Sequence, residues 1–208
     1  MSKKLETRNQ KSERIQGNIF VISGPSGSGK TTLADKIIKS AAFNNKIKKS
    51  VSFTTRPKRS NESANKDYVF ITEERFTRLL RAKKILEWTK YLEYYYGTPR
   101  EPVDVWLRQG KSLILCVDLK GAERVKRLYP ENTVTVFIMP PSFEELRARI
   151  EKRCSEINEK EILKRVKLAE KEVLYAEKFD YCLINKNLVK TVKLLKDIIL
   201  REIKNKQR

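Results

Sequence analysis

Eight consecutive residues, Gly24-Pro25-Ser26-Gly27-Ser28-Gly29-Lys30-Thr31, have the types and spacing that hold a polyphosphate. The glycines let successive backbone N–H groups converge on phosphate oxygens, and a helix starting near Lys30 adds the positive end of its dipole. In such a loop the lysine reaches the β- and γ-phosphates, and the Thr31 hydroxyl can ligate magnesium. Thr32 completes the set of residues expected around the nucleotide. Chance produces the string in roughly one chain in a hundred of this length, so its context has to carry the reading. The apolar run Asn18-Ile19-Phe20-Val21-Ile22-Ser23 reads as a buried strand, and helical texture follows the loop. The strand-loop-helix order is the one a phosphate cradle needs, though it leaves the second substrate open.

Other residues with chemical potential are arginines and carboxylates. Asp118 ends the apolar run 112–117, and a carboxylate at the C-terminal end of a strand points into the crevice where open α/β sheets bind ligands. Arg149 and Arg153 are four apart in a helical pattern and share a face, and Arg165 follows in the next helical segment. Histidine is absent, which excludes Ser-His-Asp and Cys-His catalysis and any histidine metal site. Cys116, Cys154 and Cys182 stand far apart with no C-x-x-C pair, against both a disulfide framework and a zinc site.

The elements that must position these groups follow from the pattern. With 208 residues and 39% hydrophobic content, one domain with a well-buried core is expected. Strand-like runs at 112–117, 134–139 and 181–184 alternate with helical patterns at 119–128 and 142–153, which predicts an α/β fold with a parallel sheet covered by helices. Between residues 51 and 100 the texture shifts to short β-prone pieces, many Tyr, Thr and Arg, and one amphipathic helix near 73–82, as expected of an inserted mixed lobe. The stretch 147–171 is rich in Arg, Lys and Glu, with little apolar periodicity at its start, and reads as a mobile helical flap. The formal charge is +20, with 46 Lys and Arg against 26 Asp and Glu. Much of the excess sits in the polar ends and along 186–208, where it reads as a solvated exterior bearing an apolar stripe. No run approaches the roughly 20 apolar residues that span a bilayer, and the first 17 residues are polar, so a cytoplasmic protein without membrane contact is expected.

Downstream of the loop, Ser52-Phe53-Thr54-Thr55-Arg56-Pro57-Lys58-Arg59-Ser60-Asn61-Glu62 is followed by Lys66-Asp67-Tyr68, Glu87-Trp88 and Tyr95-Tyr96-Gly97-Thr98. In these motifs, their order and their spacing, the chain resembles guanylate kinases from about Asn18 to Ile199. The resemblance implies a single domain with a P-loop kinase core (18–51, 103–143 and 174–206), a GMP-binding lobe (52–102), a lid (144–173) and a polar N-terminal extension (1–17). It implies that Arg56, Arg59, Tyr68 and Tyr96 hold the GMP phosphate and that Ser52, Glu87 and Thr98 face the guanine, with Glu62 and Asp118 also in the GMP set. Donors such as Arg and phenolic O–H suit a dianionic phosphate, and a carboxylate can accept from guanine N1–H and N2 amino together. Arg149, Arg153 and Arg165 match the lid arginines, and Thr31 would hold magnesium, with Asp118 acting through a water molecule.

Several positions depart from the family pattern. Cys116 takes the first place of Cys116-Val117-Asp118, where two acidic residues usually flank an apolar one, and reads as core packing. Cys154 stands where glycine is common, Arg165 lies one residue further from Arg153, and Asn61 and Asn65 occupy glycine turns that asparagine tolerates. The implied activity is transfer of the γ-phosphoryl group of ATP to GMP or dGMP, with Mg²⁺, in a monomer or homodimer. In-line positioning and cations suffice for it, because an acceptor phosphate oxygen needs no general base. Two alternatives stand beside it: a non-catalytic phosphoprotein-binding module of the same fold, against which Lys30 and Thr31 argue, and a P-loop kinase for another phosphorylated acceptor. Nucleic-acid binding is not expected, since the aromatics cluster with the acceptor motifs instead of tracking a groove.

Overall fold

The computed structural model describes residues 17–43, 45–59, 62–91, 93–153 and 159–206; Asn61, Cys154 and the side chain of Arg153 lie outside the described residues, as does the polar extension up to residue 16. Strand β1 (Ile19–Ser23) leads through the phosphate loop into α1 (Lys30–Ile38), then β2 (Ile47–Lys49). The next elements are β3 (Phe53–Thr54), β4 (Val69–Phe70), α2 (Glu73–Arg81), β5 (Ile85–Tyr91) and β6 (Tyr94–Pro99). The chain continues with α3 (Arg100–Arg108), β7 (Ser112–Cys116), α4 (Leu119–Leu128), β8 (Thr133–Met139), α5 (Phe143–Arg153) and α6 (Glu159–Val173). It closes with β9 (Tyr181–Ile184) and α7 (Leu188–Lys206).

Strands β2-β7-β1-β8-β9 form a five-stranded sheet in that order, and each neighbouring pair is parallel. The alternation of strand runs and helical patterns predicts this arrangement, since a parallel pair needs a crossover and the crossover helices cover the faces. The period of two then splits the side chains of β1 between two cores. Phe20 and Ile22 pack with Leu33, Ala34 and Ile37 of α1 and Leu195 and Ile199 of α7 on one face. Ile19 and Val21 pack with Val103 and Leu107 of α3 and Ala122 and Val125 of α4 on the other. All five residues of β1 are fully buried, so the point where the chain leaves the sheet at Gly24 is held on both sides.

A second sheet, β4-β3-β6-β5, is mixed: β3 pairs β4 in parallel and β6 antiparallel, and β5 and β6 form a hairpin. Its own small core joins Ile71, Phe76 of α2 and Ile85 to Phe53, Trp88 and Tyr95. Helix α2 begins where the Thr72 hydroxyl accepts from Arg75 N–H at 3.2 Å, with Glu73 and Glu74 in the first turn complementing the dipole. Helix α3 escapes the sequence reading because Pro102 interrupts its pattern, yet proline is tolerated in a first turn, where the missing N–H has no helical partner.

The stretch 147–171, expected to show little apolar periodicity at its start, carries a buried apolar face together with Leu146 just ahead of it. Leu146 and Ile150, one turn apart on α5, are buried with Ile162 and Ala169 of α6, and both approach the phosphate loop at Gly27. The flap is therefore packed through its own core onto the nucleotide loop. Asn65 adopts φ 62, the left-handed conformation that asparagine was expected to accept there.

Truncating the strand that carries the loop tests this packing. Ile22→Ala is expected to reduce the unfolding free energy by about 2–5 kcal/mol, because the two-sided core cannot close over the missing atoms. The urea midpoint measures it, and a loss below about 1 kcal/mol would contradict the two-sided burial.

Candidate active site

The C-terminal ends of the parallel strands, the second sheet and the α5–α6 pair enclose one cleft of about 720 Å³. At one end lie Gly24, Ser26, Gly27, Gly29, Lys30, Thr31 and Thr32; Pro25 and Ser28 stand behind this lining. Gly29 caps α1 in the left-handed region at φ 97, which turns the first helical N–H groups toward the cleft. The Lys30 ammonium donates to the carbonyls of Gly24 at 2.6 Å and Pro25 at 2.8 Å, so it is held within the loop.

Two of the expected arginines approach from α5 and α6. Arg165 is 8% exposed, donates to the Ser26 hydroxyl at 3.5 Å and places its guanidinium over the Tyr91 ring. Arg149 donates to Glu145 at 2.8 Å and to the backbone carbonyl of Asn185 at 3.2 Å. Both line the cleft.

The opposite end is built around Arg56. Its guanidinium forms a two-pronged pair with Glu62 at 2.8 and 3.0 Å, donates to Pro57 O at 2.7 Å and to the Tyr96 hydroxyl at 3.2 Å, and lies over the Tyr68 ring. Four of its five N–H donors are thus committed, and a single Nη2–H remains in a fixed direction. Glu62, expected among the acceptor ligands, lines the cleft, holds Arg56 and accepts from Arg59 N–H at 3.0 Å. Burial works against the ionised Glu62, yet the Arg56 and Arg59 contacts keep its carboxyl below the ordinary value. Arg59, Ser52, Tyr68 and Tyr96 line the same end.

Between these poles lies Glu87, only 3% exposed. The Thr98 hydroxyl donates to its Oε1 at 2.6 Å, so Thr98 stands behind the carboxylate and orients it. Asp118 caps α4, its Oδ1 accepting from Gly121 N–H at 2.8 Å. A Cβ at Gly121 would meet Glu87 Oε2 at 2.7 Å, so the glycine gives this carboxylate its room. Burial raises Glu87 to about 7; the Thr98 bond opposes the shift and the Asp118 charge adds to it. Cys116 both packs on the core and lines the cleft, and burial raises its thiol to about 11, which keeps it protonated.

A sequence model of the guanylate kinase family matches residues 16–202. The chain belongs to that family. Curated guanylate kinases from Caldanaerobacter subterraneus subsp. tengcongensis and Thermotoga maritima are 43% and 40% identical to it, each alignment covering 90% of this chain and 88% of the relative. The crystal structure of guanylate kinase from Anaplasma phagocytophilum shares the fold at a TM-score of 0.75 and 34% identity, covering 89% of this chain and 86% of that one. Family membership makes the protein an enzyme of the ATP-dependent phosphotransferase class, and among the described residues no helix is long and apolar enough to cross a membrane.

Some cleft residues of this guanylate kinase family member escape the sequence reading. Tyr91, Lys49, Glu172 and Asn185 all line the cleft. Lys49 is paired with Asp35 at 2.6 Å, and the Tyr91 hydroxyl is buried. Asn185 follows β9 as Asp118 follows β7, so the strand-end signal that singles out Asp118 was available for it too.

The burial of Glu87 has a consequence for stability. A carboxyl raised from 4.5 to about 7 favours the fold when protonated, below about pH 4.5. Stability then falls as pH rises through 7, by roughly 3 kcal/mol at 1.36 kcal/mol per unit. Glu87→Gln, always neutral, is expected to unfold at higher urea than the parent at pH 8, with the gap closing by pH 4.5. A variant less stable than the parent at pH 8 would refute the buried-charge account.

Proposed function

We propose that this enzyme transfers the γ-phosphoryl group of ATP to GMP, giving ADP and GDP, with the two nucleotides entering the cleft from its opposite ends. The observation that carries this reading is one cleft with a phosphate loop at one end, an oriented arginine at the other and a buried carboxylate between them. The ATP phosphates would lie on the loop, against its backbone N–H groups and Lys30. The GMP phosphate would take the remaining Nη2–H of Arg56 together with Arg59 and the Tyr68 and Tyr96 hydroxyls. With Oε1 oriented by Thr98, Glu87 would accept from guanine N1–H and N2 amino, and Ser52 would complete the base contacts. Adenine presents no such donor pair.

Magnesium fits the residues present. Thr31 offers a hydroxyl in the first turn of α1, Asp118 and Glu172 put carboxylates on the cleft, and among the described residues no three acidic or sulfur groups form a metal cage of their own. Mg²⁺ takes one or two protein ligands and otherwise phosphate and water oxygens, so Thr31 would hold it directly and Asp118 through water. When bound, the ion neutralises charge on the β- and γ-phosphates. The chain's own part is positioning. Lys30, Arg149 and Arg165 bring cations to the migrating group, and the approach of α5 and α6 to the loop excludes water that would otherwise accept the phosphoryl. A GMP phosphate oxygen is already anionic near neutral pH, so no side chain has to remove a proton.

A coupled assay across nucleoside monophosphates tests the reading. Turnover is expected with GMP and dGMP and at most a trace with AMP, CMP or UMP; preference for any other acceptor would overturn it. Glu87→Gln replaces one acceptor with an NH₂ that faces guanine's donors. It should lower kcat/KM for GMP by up to about 10⁴-fold at the strong end while sparing AMP, so the GMP-to-AMP ratio narrows. An unchanged ratio removes Glu87 as the base reader. Lys30→Ala should abolish turnover with the far-ultraviolet circular dichroism unaltered, because the side chain lines the cleft and belongs to none of the hydrophobic cores.

A further inference from the structure

Asn185 is 6% exposed and joins three parts of the molecule. Its backbone N–H donates to Met139 O at 2.9 Å, at the end of β8. Its side-chain Nδ2 donates to Ser28 O at 2.8 Å, inside the phosphate loop. Its own carbonyl accepts from Arg149 Nη2 at 3.2 Å, on α5. The first and third bonds use backbone atoms that any residue supplies, whereas the second belongs to the asparagine amide.

That second bond acts on a peptide plane. In a trans peptide the C=O and the following N–H point to opposite sides of the chain. Anchoring Ser28 O on Asn185 therefore turns the Gly29 N–H the other way, and Gly29 is the residue of this pair that lines the cleft. The space where a Cβ on Gly29 would sit is filled by the Asn185 amide nitrogen, so the side chain takes the volume the glycine leaves open. We propose that Asn185 is a positioning residue for the donor nucleotide: it fixes the Ser28–Gly29 peptide so that Gly29 N–H faces the β-phosphate, and ties that peptide to the arginine of α5. This rests on the reading that the loop holds the phosphates of ATP.

The test separates positioning from general stability. Asn185→Ala removes the amide, and Asn185→Asp keeps its size but sets a carboxylate oxygen against Ser28 O. Calorimetric titration with ADP and, separately, with GMP reads the two ends of the cleft. Asn185→Ala is expected to weaken ADP about tenfold, the loss of one ordering hydrogen bond, and Asn185→Asp to weaken it further through charge repulsion. GMP affinity should stay within about twofold in both variants. Steady-state kinetics should follow, with the KM for ATP raised and that for GMP unchanged. Unaltered ADP affinity in both variants would overturn the proposal, as would equal losses of ADP and GMP, which mark a merely structural role. If Asn185→Ala does not fold, the size-matched Asp variant decides. Because ADP binding is read without any acceptor, the result is independent of which monophosphate the coupled assay selects.

Discussion

Burial of β1 on both faces is the constraint on which the rest of the molecule depends. Five residues without solvent exposure leave the strand no freedom to slide or tilt, so the chain emerges into the phosphate loop at a fixed place. Its parallel neighbours share its direction, which brings the ends of β7, β8 and β9 to the same edge. Asp118 and Asn185 therefore arrive beside the loop as consequences of strand polarity and register, although they come from distant parts of the sequence.

Electrostatics organise the cleft that this edge opens. Two nucleotides bring several negative charges together, and the chain answers with cations that are already held: Lys30 on loop carbonyls, Arg56 on Glu62 and Tyr96, Arg149 on Glu145 and Asn185. Side chains fixed beforehand lose little freedom when a ligand arrives. Glu87 runs against that pattern, a carboxylate placed out of water near Asp118 and raised to about 7. Such a group weakens the free protein at high pH while presenting acceptors to a base that carries donors, a local conflict of the kind expected where structure serves chemistry.

The family pattern gains meaning from these contacts. Thr98 and Glu62 fall in motifs that suggest ligand contact, yet Thr98 orients Glu87 and Glu62 orients Arg56. Thr98 stands behind the cleft surface, whereas Glu62 reaches it. Cys116 occupies the place of a usual acidic residue, and its thiol stays protonated on a wall already crowded with Lys30 and Lys49.

The sequence by itself determined the elements and the loop, because these depend on neighbours in the chain. Short apolar runs mark β1 and β8, a period near 3.6 marks α4, and the glycines ahead of Lys30 announce a cradle whatever surrounds it. It also determined the family, through motifs in fixed order. Only the tertiary structure decided what depends on distances between residues remote in sequence. Asn185 and Ser28 are 157 positions apart and meet at 2.8 Å, Arg165 and Ser26 are 139 apart, and the apolar face of α5 shows its purpose only against α6 and the loop. The raised Glu87 belongs to the same class, since desolvation is set by everything packed around a group and no local spacing encodes it.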